Sequence, residues 1–96
     1  MTALINRQLD LRGYHEPVPI AQTRHAIDEL RNGEILLITT TDRNTLHNMD
    51  AWCRQTGNTL LQSSEEDGEF TFMIRKSRIL NWPGYYTAIG TGNPAK

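Results

Sequence analysis

Leu9–Pro19 reads Leu-Asp-Leu-Arg-Gly-Tyr-His-Glu-Pro-Val-Pro, and it predicts a strand, a turn and the start of a helix. The two leucines alternate with charged residues, which is the period-two pattern of a half-buried strand. Gly13 can adopt backbone angles that other residues avoid. Pro17 is expected at the first helical position, where its missing N–H costs no hydrogen bond. Unpaired backbone N–H groups make such a helix start attractive to anions, so the acidic Glu16 just before it is the unusual feature.

The residues that follow predict a surface helix and then a buried strand. The helix ends at Asn32-Gly33, a left-handed stop signal, and Glu34–Thr41 contains the run Ile-Leu-Leu-Ile. A continuous apolar run of this kind is typical of a central strand that is apolar on both faces. Apolar or small side chains share one stripe of the helix, as amphipathic packing requires: Ile20, Thr23, Ala26, Ile27 and Leu30.

A second helix and a hairpin complete the predicted fold. Asp42 is a good N-cap for a helix over Arg43–Thr56. Asp67-Gly68 lies between the strand patterns Thr59–Ser64 and Glu69–Lys76, and Asp-Gly is a strong hairpin signal. The order β-α-β-α-β-β predicts an α+β fold, a two-layer α/β sandwich with a mixed four-stranded sheet and two helices on one face. The second helix presents an apolar face of Leu46, Met49, Trp52 and Cys53.

The length of 96 residues suits one domain. We assign residues 1–8 to an N-terminal arm, 9–76 to the domain and 77–96 to a C-terminal tail that is partly disordered. The tail contains Trp82-Pro83-Gly84-Tyr85-Tyr86. These aromatic residues either belong to a loose tail, or they cover an exposed sheet face or hold a partner.

Composition argues against several classes of function, although it does not exclude nucleic-acid binding. The net charge is −1 with acids and bases interspersed, so no basic face favours nucleic acid or membrane. The single Cys53 cannot form an internal disulfide, which favours a reducing compartment. The longest aliphatic run, Ile35–Ile38, is far shorter than the ~20 residues that span a bilayer, and the N-terminus has no apolar signal segment. We therefore expect a cytoplasmic protein. The three histidines lack metal-ligand spacing, and no cofactor motif is present.

Several motifs together resemble the TusA/SirA-like sulfur-carrier proteins. They are Leu-Asp-Leu-Arg-Gly-Tyr-His-x-Pro-x-Pro, Asn-Gly-Glu-Ile-Leu-Leu-Ile, Trp-Cys in the second helix, Asp-Gly, and Phe-Met-Ile-Arg-Lys, in the family's order between Leu9 and Lys76. The resemblance implies a β-α-β-α-β-β sandwich. It also implies a carrier cysteine directly before Pro-x-Pro, where a helix start lowers the thiol pKa so that a persulfide can form.

This chain has Glu16 at that position. Three interpretations stay open: a structural carboxylate at the helix start, a permanent anion that imitates the thiolate or persulfide, or a catalytic acid or base. Cys53 matches a cysteine that is not the carrier in the family. On the apolar face beside Trp52 we expect it to be buried with a raised pKa, and the alternative is a relocated carrier thiol.

Our leading hypothesis is a non-catalytic member of the family that acts as a protein-binding or regulatory module in sulfur transfer. Its partner would be a desulfurase, a sulfurtransferase or another carrier. The alternatives are a sulfurtransferase or persulfide carrier that uses Cys53, and a nucleic-acid-binding domain. The loop offered to the partner consists of Arg12, Gly13, Tyr14, His15, Glu16, Pro17 and Pro19.

Overall fold

The computed structural model describes residues 4–77, and it confirms the predicted order of elements. The tail predicted for residues 77–96, with its aromatic segment, lies outside the described residues from position 78 onward. Neither of the helices in residues 4–77 is long and apolar enough to cross a membrane. The elements are β1 (Arg7–Leu11), α1 (Val18–Glu29), β2 (Ile35–Thr40), α2 (Arg43–Thr56), β3 (Thr59–Glu66) and β4 (Glu69–Arg75).

The four strands form one mixed sheet in the order β1-β2-β4-β3. β1 and β2 are parallel, whereas β4 runs antiparallel to both β2 and β3. The apolar run of β2 therefore occupies a central position, as predicted. Its register against β4 pairs Leu36 with Ile74 and Ile38 with Phe72. All four residues are fully buried.

Both helices contribute to one core on one face of the sheet. Ala26 and Ile27 of α1 pack in the same cluster as Met49 and Trp52 of α2. The alternate residues of the central strands face the other way and are only half-buried, as Leu37 shows. The two-layer arrangement follows, because each helix has one apolar stripe to cover and the sheet offers it one continuous apolar face.

β1 begins at Arg7, two residues earlier than the alternation of leucines indicates. Asn6 extends the pairing further: its N–H donates to Ile35 O at 2.9 Å, and its Oδ1 accepts from Ile35 N at 2.8 Å. Arg7 also forms an ion pair with Glu29 of α1. Arg7 and Gln8, which the sequence pattern assigned to the arm, therefore belong to the sheet.

The predicted Asp-Gly hairpin is confirmed, with a longer first strand. Asp67 and Gly68 have φ angles of 53° and 80°, and Glu66 pairs directly with Glu69. Positive φ at both turn residues is the type I′ geometry, whose twist matches that of the flanking strands. Such a turn continues the ladder to its edge, so β3 reaches Glu66 instead of ending at Ser64.

The bounds of α1 differ from the prediction at both ends. Pro17 is the N-cap, and the helix itself begins at Val18. At the other end Leu30 is already extended, with φ −91° and ψ 161°. Lys76 determines this end, because its Nζ donates to Leu30 O at 2.5 Å and its carbonyl accepts from Gly33 N at 2.7 Å. Gly33, with φ 90°, therefore belongs to the turn into β2 and does not end the helix.

The bounds of α2 are confirmed, together with the residues that set them. Asp42 Oδ1 accepts from Asn44 N at 3.0 Å, as an N-cap side chain does. Gly57 ends the helix in the left-handed conformation, with φ 84°. Thr45 is fully buried, although the sequence pattern did not assign it to the inward face.

Candidate functional site

The starts of both helices lie at the same edge of the sheet. β1 and β2 are parallel neighbours, so their carboxyl ends meet there. α1 follows β1 and α2 follows β2 along the chain. The unpaired N–H groups of two helix starts are thus close together, in the region where the predicted partner loop lies.

The loop from β1 to α1 is fastened to the loop from β2 to α2. Gly13 N donates to Thr41 Oγ1 at 2.8 Å, and Tyr14 N donates to Leu11 O at 3.2 Å to close a turn. Gly13 has φ 88°, a conformation that residues with a side chain rarely adopt. A glycine here therefore lets the chain turn sharply from β1 toward the helix start.

Glu16 lies between the two helix starts and is hydrogen-bonded to both. Its Oε2 accepts from Thr45 Oγ1 of α2 at 2.5 Å, and its Oε1 accepts from Ile20 N of α1 at 3.4 Å. Its backbone N–H donates to Asp42 Oδ2 at 2.8 Å. The Glu16–Pro17 peptide bond is cis. The carboxylate is half-buried and turned toward the protein's own donors.

Asp42 is the second carboxylate at this edge. Its side chain is 10% exposed and lies 3.8 Å from His15 Nδ1. The pKa of Asp42 is lowered, first by the backbone N–H of Glu16 and then by that of Asn44. Asp42 therefore stays ionised and accepts from the backbone of the loop, while Glu16 accepts from a side chain of α2 and from the backbone of α1.

The outward surface of the loop is partly apolar. Tyr14 is 53% exposed and Val18 is 36% exposed. The His15 side chain is 84% exposed. Pro19, which the sequence placed in the partner loop, is fully buried in the first turn of α1 and offers no surface.

Arg12 is the arginine of the loop. Its Nε and Nη2 donate to the two oxygens of Asp10 at 2.8 and 2.7 Å, and its Nη1 lies 3.4 Å from Glu69 Oε2. The hydrogen bond from Arg12 lowers the pKa of Asp10 to about 2. Arg12 is thereby held against the sheet edge by two acids, although its side chain remains 52% exposed.

Cys53 lies away from this edge. It is eight residues after Thr45, which corresponds to about 12 Å along the axis of α2. The residue is 3% exposed, and burial, with Asp50 nearby, raises the pKa of the thiol to about 11. The prediction of a buried cysteine with a raised pKa is confirmed.

Sequence reasoning named the candidate loop but not the residues that hold it in place. The sequence analysis did not assign Thr45 or Thr41 to the site. Thr45 donates to Glu16, and Thr41 accepts from the backbone N–H of Gly13. A signal for Thr45 existed, because it precedes Met49 by one helical turn and so shares its buried face. Among residues 4–77, no cluster of three or more potential metal ligands is present.

Comparisons with known proteins agree with this architecture. The chain matches a family model described as sulfurtransferase TusA over residues 7–76. The sulfur carrier protein TusA of Allochromatium vinosum is 36% identical over 72 residues, which cover 75% of this chain and 95% of that protein. The crystal structure of a SirA-like protein from Desulfitobacterium hafniense has a TM-score of 0.67 at 19% identity and covers 75% of this chain and 99% of that one. That structure confirms the predicted fold.

Proposed function

Because the chain belongs to the sulfurtransferase TusA family, we propose that it binds protein partners of a sulfur relay without carrying sulfur itself. The family resemblance implies a carrier cysteine directly before Pro17, and this chain has Glu16 there. The observation that best supports the proposal is the engagement of both Glu16 oxygens, by Thr45 Oγ1 and Ile20 N.

The chemistry of sulfur transfer requires a thiolate. A persulfide forms when a thiolate attacks the sulfane sulfur of a donor persulfide and displaces the donor's thiolate. The carboxylate of Glu16 has no sulfur atom to form that bond. The carboxylate instead supplies the negative charge that a helix start favours, and the two hydrogen bonds that it accepts join α1 to α2. Of the three interpretations of Glu16, these contacts support the structural one most directly.

Cys53 is poorly suited to replace the missing carrier. It is the only cysteine of the chain, and its thiol is buried with a raised pKa. Burial keeps the thiol protonated at neutral pH and prevents a partner from approaching the sulfur. A carrier that used Cys53 would have to open the contact between α2 and the sheet in every cycle.

The partner would bind to the outward surface of the loop. Tyr14 and Val18 provide exposed apolar area on either side of Glu16, and His15 provides a polar group between them. Aromatic residues are favoured anchors of protein interfaces, because they bury a large area at a small cost in conformational entropy. We therefore assign recognition of a desulfurase, a sulfurtransferase or a carrier to this surface.

Intact-mass spectrometry tests the proposal. The full chain is incubated with a cysteine desulfurase and cysteine, beside the variants Glu16→Cys and Cys53→Ala and their combination. We expect the mass of one sulfur atom to be added only to proteins that contain Glu16→Cys, because a desulfurase then docks and finds a thiolate at the helix start. Sulfur added to the wild type and absent from Cys53→Ala would refute the proposal and identify a carrier with a relocated thiol.

A further inference from the structure

Within residues 4–77 the helices cover one face of the sheet, and the opposite face carries apolar side chains of its own. Successive side chains of a strand point to opposite faces. Leu37 and Met73 alternate with core residues and therefore lie on the uncovered side, where they are paired across β2 and β4 and half-buried. We call this surface the open face. Its residues on the two central strands are Ile35, Leu37, Thr39, Glu69, Thr71, Met73 and Arg75.

The charged residues of β4 on the open face have opposite signs and lie at opposite ends of the strand. Glu69 begins the strand and Arg75 ends it, so Phe72 is midway between them. At about 3.4 Å per residue, the two charged positions are about 20 Å apart. Arg75 is exposed, and its guanidinium forms no ion pair among residues 4–77. Such a strand complements itself, because a second copy turned end to end brings each charge to its opposite.

The acidic end of the open face stays negative although Arg12 lies beside it. Arg12 Nη2 is 2.7 Å from Asp10 Oδ2, and Arg12 Nη1 is 3.4 Å from Glu69 Oε2. Asp10 precedes the core residue Leu11 in β1, so its side chain points to the open face. Two carboxylates against one guanidinium leave a net negative charge at this end, which an exposed arginine of another molecule can approach.

We propose that a second copy of this chain packs on the open face, with the two β4 strands antiparallel about a two-fold axis near Phe72. Glu69 of each copy then lies opposite Arg75 of the other copy. Sheets packed face to face are about 10 Å apart, a gap that an arginine and a glutamate side chain bridge together. Leu37 and Met73 lie near the middle of the contact, where both leave water on association.

The size of the open face determines how tightly two copies bind. Four strands spaced by about 4.8 Å, over a length of about 20 Å, give roughly 400 Å² per copy. That area is small for a specific interface, so we expect a dissociation constant of roughly 10–100 µM. A two-fold contact is closed and forms a dimer instead of a filament. The antiparallel arrangement places the two candidate sites at opposite ends of the dimer, which leaves each partner loop accessible.

Sedimentation velocity of the full chain, from about 1 µM to about 1 mM, tests whether the dimer forms. We expect twice the mass of one chain at the upper end of this range, and weaker association in high salt, because the charge pairs are exposed. A chain that stays monomeric to about 1 mM would overturn the proposal. Nuclear Overhauser contacts to Leu37 from residues 78–96 of the same molecule would overturn it as well, since the open face would then be occupied.

Two charge reversals test whether the dimer uses the open face. Arg75→Glu and Glu69→Arg each place like charges opposite one another twice per dimer, so each variant alone should raise the dissociation constant about tenfold or more. An equimolar mixture of the two variants pairs opposite charges at both positions. We expect the mixture to associate within about threefold of the wild type.

Arg24→Glu is the matched control, because it reverses an exposed charge on α1, on the covered side of the sheet. It should leave the dissociation constant within about twofold of the wild-type value. Homodimers of Arg75→Glu or Glu69→Arg as tight as the wild-type dimer would place the contact on another surface and overturn the proposal. A mixture that associates no better than its two components would have the same meaning.

Discussion

Thr45→Val should destabilise the protein through one hydrogen bond. Thr45 is fully buried, and its hydroxyl donates to Glu16 Oε2 at 2.5 Å. Valine keeps the branched shape of threonine and has a similar helix propensity, so the packing of α2 changes little. A hydrogen bond to a charged group contributes about 1.5–3 kcal/mol. Because Glu16 is half-buried and water can replace part of this bond, we expect a loss of about 1.5 kcal/mol in the free energy of unfolding.

The protein offers a matched control for this substitution. Thr40 is also fully buried, but its Oγ1 has no hydrogen-bond partner within residues 4–77. Thr40→Val replaces an unsatisfied hydroxyl with a methyl group, which should be neutral or stabilising. The same chemical change is thus made at two buried threonines, and a loss of stability is expected only at Thr45.

Urea unfolding of the full chain, followed by circular dichroism, measures both variants. A double-mutant cycle with Glu16→Gln isolates the pair, because Thr45→Val should cost less when the carboxylate is already neutral. We expect a coupling energy of about 1 kcal/mol between positions 16 and 45. A coupling energy within about 0.3 kcal/mol of zero would refute the role assigned to Glu16. Equal losses for Thr45→Val and Thr40→Val would refute it as well.

Three further predictions concern other parts of the chain. Cys53 should react with a thiol reagent at least about a hundredfold more slowly in the native state than in denaturant, as a buried thiol with a pKa near 11 requires; comparable rates would contradict its burial. Gly68→Ala should cost about 1 kcal/mol in urea unfolding, because φ is 80° there, whereas an unchanged midpoint would argue against the type I′ turn. The pKa of Asp10 should be about 2 in the folded chain, below the ordinary aspartate value of 3.8. Since its folded pKa is lowered, its contribution to stability is present above about pH 4 and is lost as the pH falls toward 2. NMR titration should show this pKa, and Arg12→Ala should return it toward 3.8.

Several elements could be predicted from sequence because short-range chemistry sets them. Asp42 and Gly57 set the two ends of α2 through contacts within their own turns. The turn at Asp67 and Gly68 depends on backbone conformations that these two residue types adopt readily. The alternation of Phe70 with its neighbours indicates a buried face wherever that strand lies in the sheet.

Other bounds depend on residues that are distant in the chain. β1 begins at Arg7 because Asn6 and Ile35, 29 positions apart, exchange hydrogen bonds. α1 stops before the left-handed stop signal because Lys76 bonds Leu30 O from 46 positions away. Periodicity and capping signals describe one segment at a time, so they cannot reveal a hydrogen-bond partner in a distant segment.

The candidate site divides in the same way. The sequence by itself determined that a loop with an acidic residue, Glu16, precedes the first helix, and that the chain resembles the TusA family. Only the tertiary structure decided that the Glu16 carboxylate bonds Thr45, 29 positions later, and that Pro19 is buried instead of lying on the loop surface. The physical reason is that a carboxylate binds the donors nearest to it. Which donors are nearest depends on the parallel pairing of β1 and β2, which brings two helix starts to one edge of the sheet.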